Sequence, residues 1–281
     1  MRNDLIVLMG ERRYAVDCPW GTLPDGQSFG PLSQIAVDSS GRVYVFQRSN
    51  PPVLVFSPEG VLIDTFGEGI FSDAHGIFVT RDDLILLVDR DAHEIIACES
   101  SGAVRFRLGQ RHQPQFNQPF NHPTDIAQAP NGDFYISDGY GNSNVHCFGA
   151  DGVFRFSWGR QGSGPGEFTT PHAVWVDPSE RVLVADRENN RVQLFDLEGT
   201  FIEAWDDFYH PMDIFGDAQG NIFVTDQIPR LSMMSSEGRL IGRCRPVRFG
   251  AHGIGGDADG NLYLAETAPL DCVTRLRLLD N

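Results

Sequence analysis

The sequence predicts an all-β chain folded as a six-bladed β-propeller whose ring is closed by the amino-terminal strand. Three observations carry that reading. Sliding the 281 residues against themselves finds one pattern six times without a gap. Each copy alternates apolar and polar residues with period two on both sides of a turn rich in Asp, Ser, Asn and Gly, the signature of a β-hairpin. Two further strand-like runs usually follow, which gives four short strands in units of about 40 to 50 residues, the size of a propeller blade.

The copies begin IAVDSSGRVYVFQR at Ile35, IFVTRDDLILLVDR at Ile77, IAQAPNGDFYISDG at Ile126, VWVDPSERVLVADR at Val174, IFGDAQGNIFVTDQ at Ile214 and IGGDADGNLYLAET at Ile254. After the first, PVLVFSP and VLIDTFG supply the outer strands; after the third, VHCFGA and VFRFSWG do so. After the sixth, VTRLRLL near Val273 leaves the last blade one strand short. The segment RRYAVDCPWG ahead of the first copy reads like VFRFSWG, with Trp20 and Gly21 standing where Trp158 and Gly159 stand. It is therefore expected to complete the last blade and leave no open sheet edge. An open β-solenoid is the alternative, and four strands per unit favour radial packing over it. No long helical pattern occurs.

Length and composition fit one domain over residues 1–281. A content of 41% hydrophobic residues allows a sizeable core, and 30 Gly with 17 Pro serve the turns. No apolar run approaches the roughly 18 residues that span a membrane, so no membrane association is expected. The stretch MRNDLIVLMGERR is too short in apolar residues, and too closely flanked by charge, to read as a signal peptide. Five scattered cysteines, Cys18, Cys98, Cys147, Cys244 and Cys272, form no CxxC and read as reduced thiols of a cytoplasmic protein. A net charge of −16 disfavours nucleic acid as a partner, because phosphate contacts need a basic footprint.

The residues two before the first apolar residue of each copy are Ser33, His75, Thr124, His172, Met212 and His252. Histidine falls on alternate copies. In a propeller the innermost strands line the central channel, and alternate members of a ring of six have threefold symmetry. Three neutral imidazoles with an open fourth position suit catalytic Zn2+, with iron or another divalent transition metal as the runner-up. A lone histidine would more often be a satisfied core or surface residue; three in strict register argue for the metal. His122 and His210, in HPTDI and HPMDI, fall outside this register and are expected on loops at the channel mouth, in reach of substrate. His93, His112 and His146 have no partner in the scheme and read as structural.

A second register position, after the acid that ends the second strand, holds Arg48, Arg90, Gly139, Arg187, Gln227 and Thr267, with Tyr140 next to Gly139. Three arginines there suit a small anionic substrate such as a carboxylate. The competing reading is ion pairing with neighbouring acids, serious for Arg90 beside Asp89 and for Arg187 between Asp186 and Glu188.

These segments resemble the NHL repeat and, in their order, the peptidyl-α-hydroxyglycine α-amidating lyases. The most particular are PTDIAQAPNGDFYISDGYGNSNV, PGEFTTPHAVWVDPSERVLVADRENNRVQLF and AHGIGGDADGNLYLAE, and the likeness runs from Ile35 to the carboxyl end. The resemblance implies zinc held by His75, His172 and His252, a catalytic tyrosine at Tyr140, and active-site arginines at Arg187 and Arg48, with Arg48 holding the substrate carboxylate. The reaction it implies splits an N-acyl-α-hydroxyglycine into an amide and glyoxylate. Zinc suits it as a Lewis acid at the carbinol oxygen, and a cation beside Tyr140 favours its phenolate as the base.

The departures from the family also matter. Gly253 stands where the family has an aspartate that contributes to a calcium site, which puts Ca2+ in doubt. The cysteine pair that the resemblance implies is replaced by Asn121 and Gly141, and a second pair around ADREN is absent, which fits a reducing compartment. Two other classes remain at this stage. One is a zinc hydrolase of a small amide, lactone or ring substrate on the same scaffold, with Tyr140 as general acid or base. The other is a non-catalytic NHL interaction module, which the fold alone permits.

Overall fold

The computed structural model describes residues 5–279. Among them the regular elements are β-strands, apart from one turn of 3-10 helix at Arg187–Asn189. They form six antiparallel sheets, five of four strands and one of five; the four-stranded sheets pair chain neighbours throughout. These are the six blades that the repeat predicts. Their first strands are Leu32–Val37, Ala74–Val79, Asp125–Gln128, Pro171–Val176, Pro211–Gly216 and Ala251–Gly256. No helix among the described residues is long and apolar enough to cross a membrane.

Local chemistry explains why each copy folds as a hairpin. In blades one, four, five and six the turn aspartate (Asp38, Asp177, Asp217, Asp257) accepts the backbone N–H groups two and four residues on through one carboxylate oxygen. Such side-chain turns offer the backbone the partners it loses where a ladder ends. The acid at the end of the second strand has its own task. Asp89, Asp138, Asp186 and Glu266 each accept a backbone N–H from the segment that enters their blade, at Ser72, Asn121, Thr169 and Arg248 respectively, and Gln47 does the same for Gly30 in blade one.

The chain divides into two compact units. Ile70–Ile214 contains blades two, three and four and the start of the fifth blade's first strand. Its core has two layers: Leu86, Val88, Ile95, Phe120, Ile136 and Phe148 pack blade two on three, and Tyr135, Phe168, Val174, Val184 and Phe195 pack blade three on four. Burial from both faces explains why second strands such as Ile85–Asp89 are buried throughout, while fourth strands such as Val104–Gly109 are half exposed and read as alternating.

The other unit, residues up to Gly69 with those from Phe215 on, holds blades one and six and the remainder of blade five. Arg12–Trp20 pairs with Cys272–Leu279, so the amino-terminal strand completes blade six as expected. Trp20 packs on Phe56 and Tyr263, as Trp158 packs on Phe195 and Tyr135. A fifth strand, Ile6–Met9, adds to that edge through a hairpin at Gly10, which the sequence reading did not anticipate. Of the MRNDLIVLMGERR stretch, the first four residues lie outside the described residues.

Candidate functional site

The three register histidines owe their orientation to β-bulges. In blade four Pro171 pairs with Asp186 and Ala173 with Ala185, so the strand carries one residue in excess there, at His172. Blade six repeats this at His252, between the Ala251–Glu266 and Gly253–Ala265 pairs. Blade two has the same one-residue excess between Ala74 and Ile77, where His75 lies. A bulge turns its side chain off the face that alternation would assign to it.

Each imidazole is buried and gives Nδ1 to a backbone carbonyl at the same register position of the following repeat. His75 reaches Thr124 O at 2.7 Å, His172 reaches Met212 O at 2.6 Å and His252 reaches Ser33 O at 2.9 Å. A carbonyl only accepts, so Nδ1 carries the proton and Nε2 keeps its lone pair, the tautomer a metal needs. The repeats without histidine thus orient the repeats that have one. Glycine assists the close approach: a Cβ on Gly76 would lie 2.8 Å from Thr124 O, and one on Gly253 would lie 2.7 Å from Ser33 O. Gly253 accordingly brings no carboxylate to its site. The candidate ligand atoms of His75 and His172 lie within 4.8 Å of one another.

Tyr140 stands beside two of them. Its hydroxyl is 3.3 Å from His75 Nε2 and 3.1 Å from His172 Nε2, and it accepts a hydrogen bond from Arg187 Nη1 at 3.1 Å. The SDGY turn brings it there because Gly139 has no side chain; a Cβ would fall 2.1 Å from Pro171 O. The guanidinium carbons of Arg90 and Arg187 each lie 5.3 Å from the ring centroid of Tyr140, within cation–π range. Tyr140 is 38% exposed.

Arg90 and Arg187 are ion-paired, Arg187 with the adjacent Glu188 and Arg90 with acids other than Asp89. Arg90 holds Asp73 and Asp91, each at 2.8 Å, while Asp89 accepts the N–H groups of Ser72 and Asp73. Arg187 bonds Glu188 through Nε at 2.8 Å, and Asp186 instead takes Arg191. Glu188 Oε2 also lies 3.0 Å from His210 Nδ1. His122 lies on the loop before blade three, with its ring 4.4 Å from that of His93, and its carbonyl accepts from Tyr140 N. Burial, and then the neighbouring His122, hold His93 below the ordinary histidine value. Arg48 is exposed at the end of its strand in the other unit, its N–H on Pro31 O.

The carbonyls of Thr124, Met212 and Ser33, and the carboxylates of Asp73 and Asp91, are the groups that residue-type reasoning passed over. The register itself pointed to the first three positions. Asn121 and Gly141, where the resemblance implies a cysteine pair, are neighbours joined by a 3.0 Å backbone hydrogen bond. The Gly109–Asn121 stretch is held by Asn142, which donates to Gln115 O and Gln118 O and accepts from Asn117 N.

A family model described as a 6-bladed beta-propeller matches residues 122–228. Over 203 residues the chain is 29% identical to a probable peptidyl-alpha-hydroxyglycine alpha-amidating lyase of Caenorhabditis elegans, a match covering 62% of this chain and 58% of that protein. This chain is similar to the amidating lyases. It is also 29% identical over 244 residues to human NHL repeat-containing protein 3, covering 79% of this chain and 70% of that protein. The chain therefore spans well under two thirds of the lyase it matches, and its relatives include a named enzyme and a protein named for its repeat. Among solved structures, a gluconolactonase from Xanthomonas campestris aligns with a TM-score of 0.72 over 96% of this chain and 91% of that one; at 13% identity this is a likeness of fold alone.

Proposed function

We propose that the protein is a zinc-dependent lyase that cleaves the C–N bond of an N-acyl-α-hydroxyglycine-like substrate, giving an amide and glyoxylate. The observation that carries this reading is the Tyr140 hydroxyl, within hydrogen-bond reach of His75 Nε2, His172 Nε2 and Arg187 Nη1 together. The donor set fits zinc: three neutral imidazoles, each with Nδ1 committed to a carbonyl and Nε2 left as ligand, would hold the ion. When bound, zinc would supply Lewis acidity at the substrate's hydroxyl oxygen.

The chain's own residues do the rest. Tyr140 acts as its phenolate, with Arg187 holding the negative charge on the phenolic oxygen, and takes the proton of the substrate hydroxyl. The electron pair released from O–H becomes the aldehyde C=O of glyoxylate as the C–N bond breaks. The departing amide nitrogen takes a proton back from Tyr140. Glu188 holds the Arg187 guanidinium in place through Nε, which leaves Nη1 to act on the tyrosine. Arg48 holds the substrate carboxylate, and Arg90 supports the face of the Tyr140 ring between Asp73 and Asp91. His122 and His210 flank the approach to this group.

Incubation with racemic N-benzoyl-α-hydroxyglycine tests the reading. The expected products are benzamide and glyoxylate, with conversion stopping at half of the racemate because the site is chiral. Benzoic acid in place of benzamide would mean hydrolysis of the amide and would replace the lyase with a zinc hydrolase.

A further inference from the structure

We propose that Cys18 and Cys272 form a reversible disulfide that joins the first and last strands of blade six, making the closing blade a site of oxidative modification by low-molecular-weight disulfides. The two residues are 254 apart in the chain, yet their Sγ atoms lie 3.9 Å apart. Cys18 falls where the register between Arg12–Trp20 and Cys272–Leu279 slips, between Asp17 and Trp20, so its side chain is released from regular pairing and meets the start of the opposing strand. Cys18 is exposed, and Cys272 is partly covered.

Their environments differ in the way that an attacking and a resolving thiol differ. A hydrogen bond from Cys272 lowers the Cys18 thiol to about 6, against its burial and the nearby Glu266 carboxylate, with Thr274 and Arg248 assisting. The same hydrogen bond, followed by burial, raises Cys272, which keeps its proton. The remaining thiols are unlike this pair. Burial raises Cys98 and Cys147 to about 11 and Cys244 to about 12. Thiolate character and access set thiol reactivity, so Cys18 is the nucleophile of the five.

Glu266 lies 3.8 Å from Cys18 Sγ and completes a cluster of metal-ligand types. Its carboxylate already accepts Arg248 N–H and the Thr274 hydroxyl. The first of these is the blade-six copy of the anchoring bond made by the equivalent side chain in blades one to four, so Glu266 is explained without a metal.

The chemistry balances with glutathione disulfide as oxidant. The Cys18 thiolate attacks one sulfur, the reagent's S–S bond breaks, and a glutathione thiolate leaves. The Cys272 thiol then gives its proton to solvent base and attacks Cys18 Sγ, releasing the second glutathione as thiolate, which solvent reprotonates. Two protein thiols are oxidised by two electrons and one glutathione disulfide is reduced to two glutathiones. A thiol pair of this kind in a reducing compartment is transient rather than structural.

The test equilibrates the full-length protein in glutathione buffers from fully reduced to fully oxidised, quenches it with iodoacetamide, and digests it without reductant for mass spectrometry. The expected result is one linked peptide pair containing Cys18 and Cys272, two hydrogens lighter than its reduced parts. The oxidised form should unfold several degrees higher than the reduced form. In Cys272→Ser, glutathione should remain on Cys18, and the iodoacetamide reactivity of Cys18 at pH 7 should fall about tenfold through loss of the thiol that stabilises it. Alkylation of both thiols in the most oxidising buffer would overturn the proposal, as would glutathione stalled on Cys18 in the unaltered chain. Stoichiometric zinc lost on either Cys18→Ser or Cys272→Ser would replace the disulfide with a metal site.

Discussion

Several separate interactions meet at Tyr140: two imidazole nitrogens, one guanidinium donor and two cations over its ring. If it carries the proton, Tyr140→Phe should lower turnover by about 100-fold or more while metal content is unchanged. Unaltered rates in that variant would remove it from the chemistry. Arg187→Ala should cost about 100-fold, chiefly in kcat, because the donor to the phenolic oxygen is lost; a change confined to KM would recast Arg187 as a binding residue. Arg48→Ala should instead raise KM with kcat nearly unchanged, if its role is to hold the carboxylate. Arg187 and Arg90 were legible in the sequence because they share one register, and Tyr140 stands one residue beyond it and was marked by the family resemblance. Their partners were less so. Adjacency put Asp89 beside Arg90, whereas the fold brings Asp73 and leaves Asp89 to anchor a turn.

Among the elements, the bulged first strand matters most. Period-two alternation assigns a face to every residue, but a bulge appears only when two strands are paired, so the sequence displayed the register of His75, His172 and His252 without the slip that aims them. The carbonyl acceptors were hidden for a related reason: a backbone oxygen has no residue-type signature. The glycine that follows His252 is part of the same device. A Cβ at Gly253 would lie 2.5 Å from Gln34 Cα, a backbone atom that cannot rotate away. Gly253→Ala should therefore destabilise the fold by about 2 kcal/mol and weaken metal binding with it, as chemical denaturation and metal titration would record. Unchanged values for both would mean that the strands have room to part.

For the whole molecule, the repeat foretold six blades and the amino-terminal strand that completes the sixth, because hairpin alternation and polar turns are local properties that survive in any copy. The fifth strand of that sheet, Ile6–Met9, followed no repeat and so left no comparable trace. Closure can be measured through Trp20, which packs on Phe56 of blade one and Tyr263 of blade six. Trp20→Ala should cost about 3 to 5 kcal/mol, seen as a lower midpoint in a denaturant titration, and a loss below 1 kcal/mol would show that this contact does not secure the closing blade. The functional reading depends on the metal site proposed at the histidines of alternate repeats, each oriented by the repeat that follows. Elemental analysis of the purified full-length protein, alongside its His172→Ala variant, tests that site most directly. The account predicts about one equivalent of a divalent metal, zinc first, lost in the variant together with activity; a native protein active without metal, or a variant that keeps its full equivalent, would contradict it.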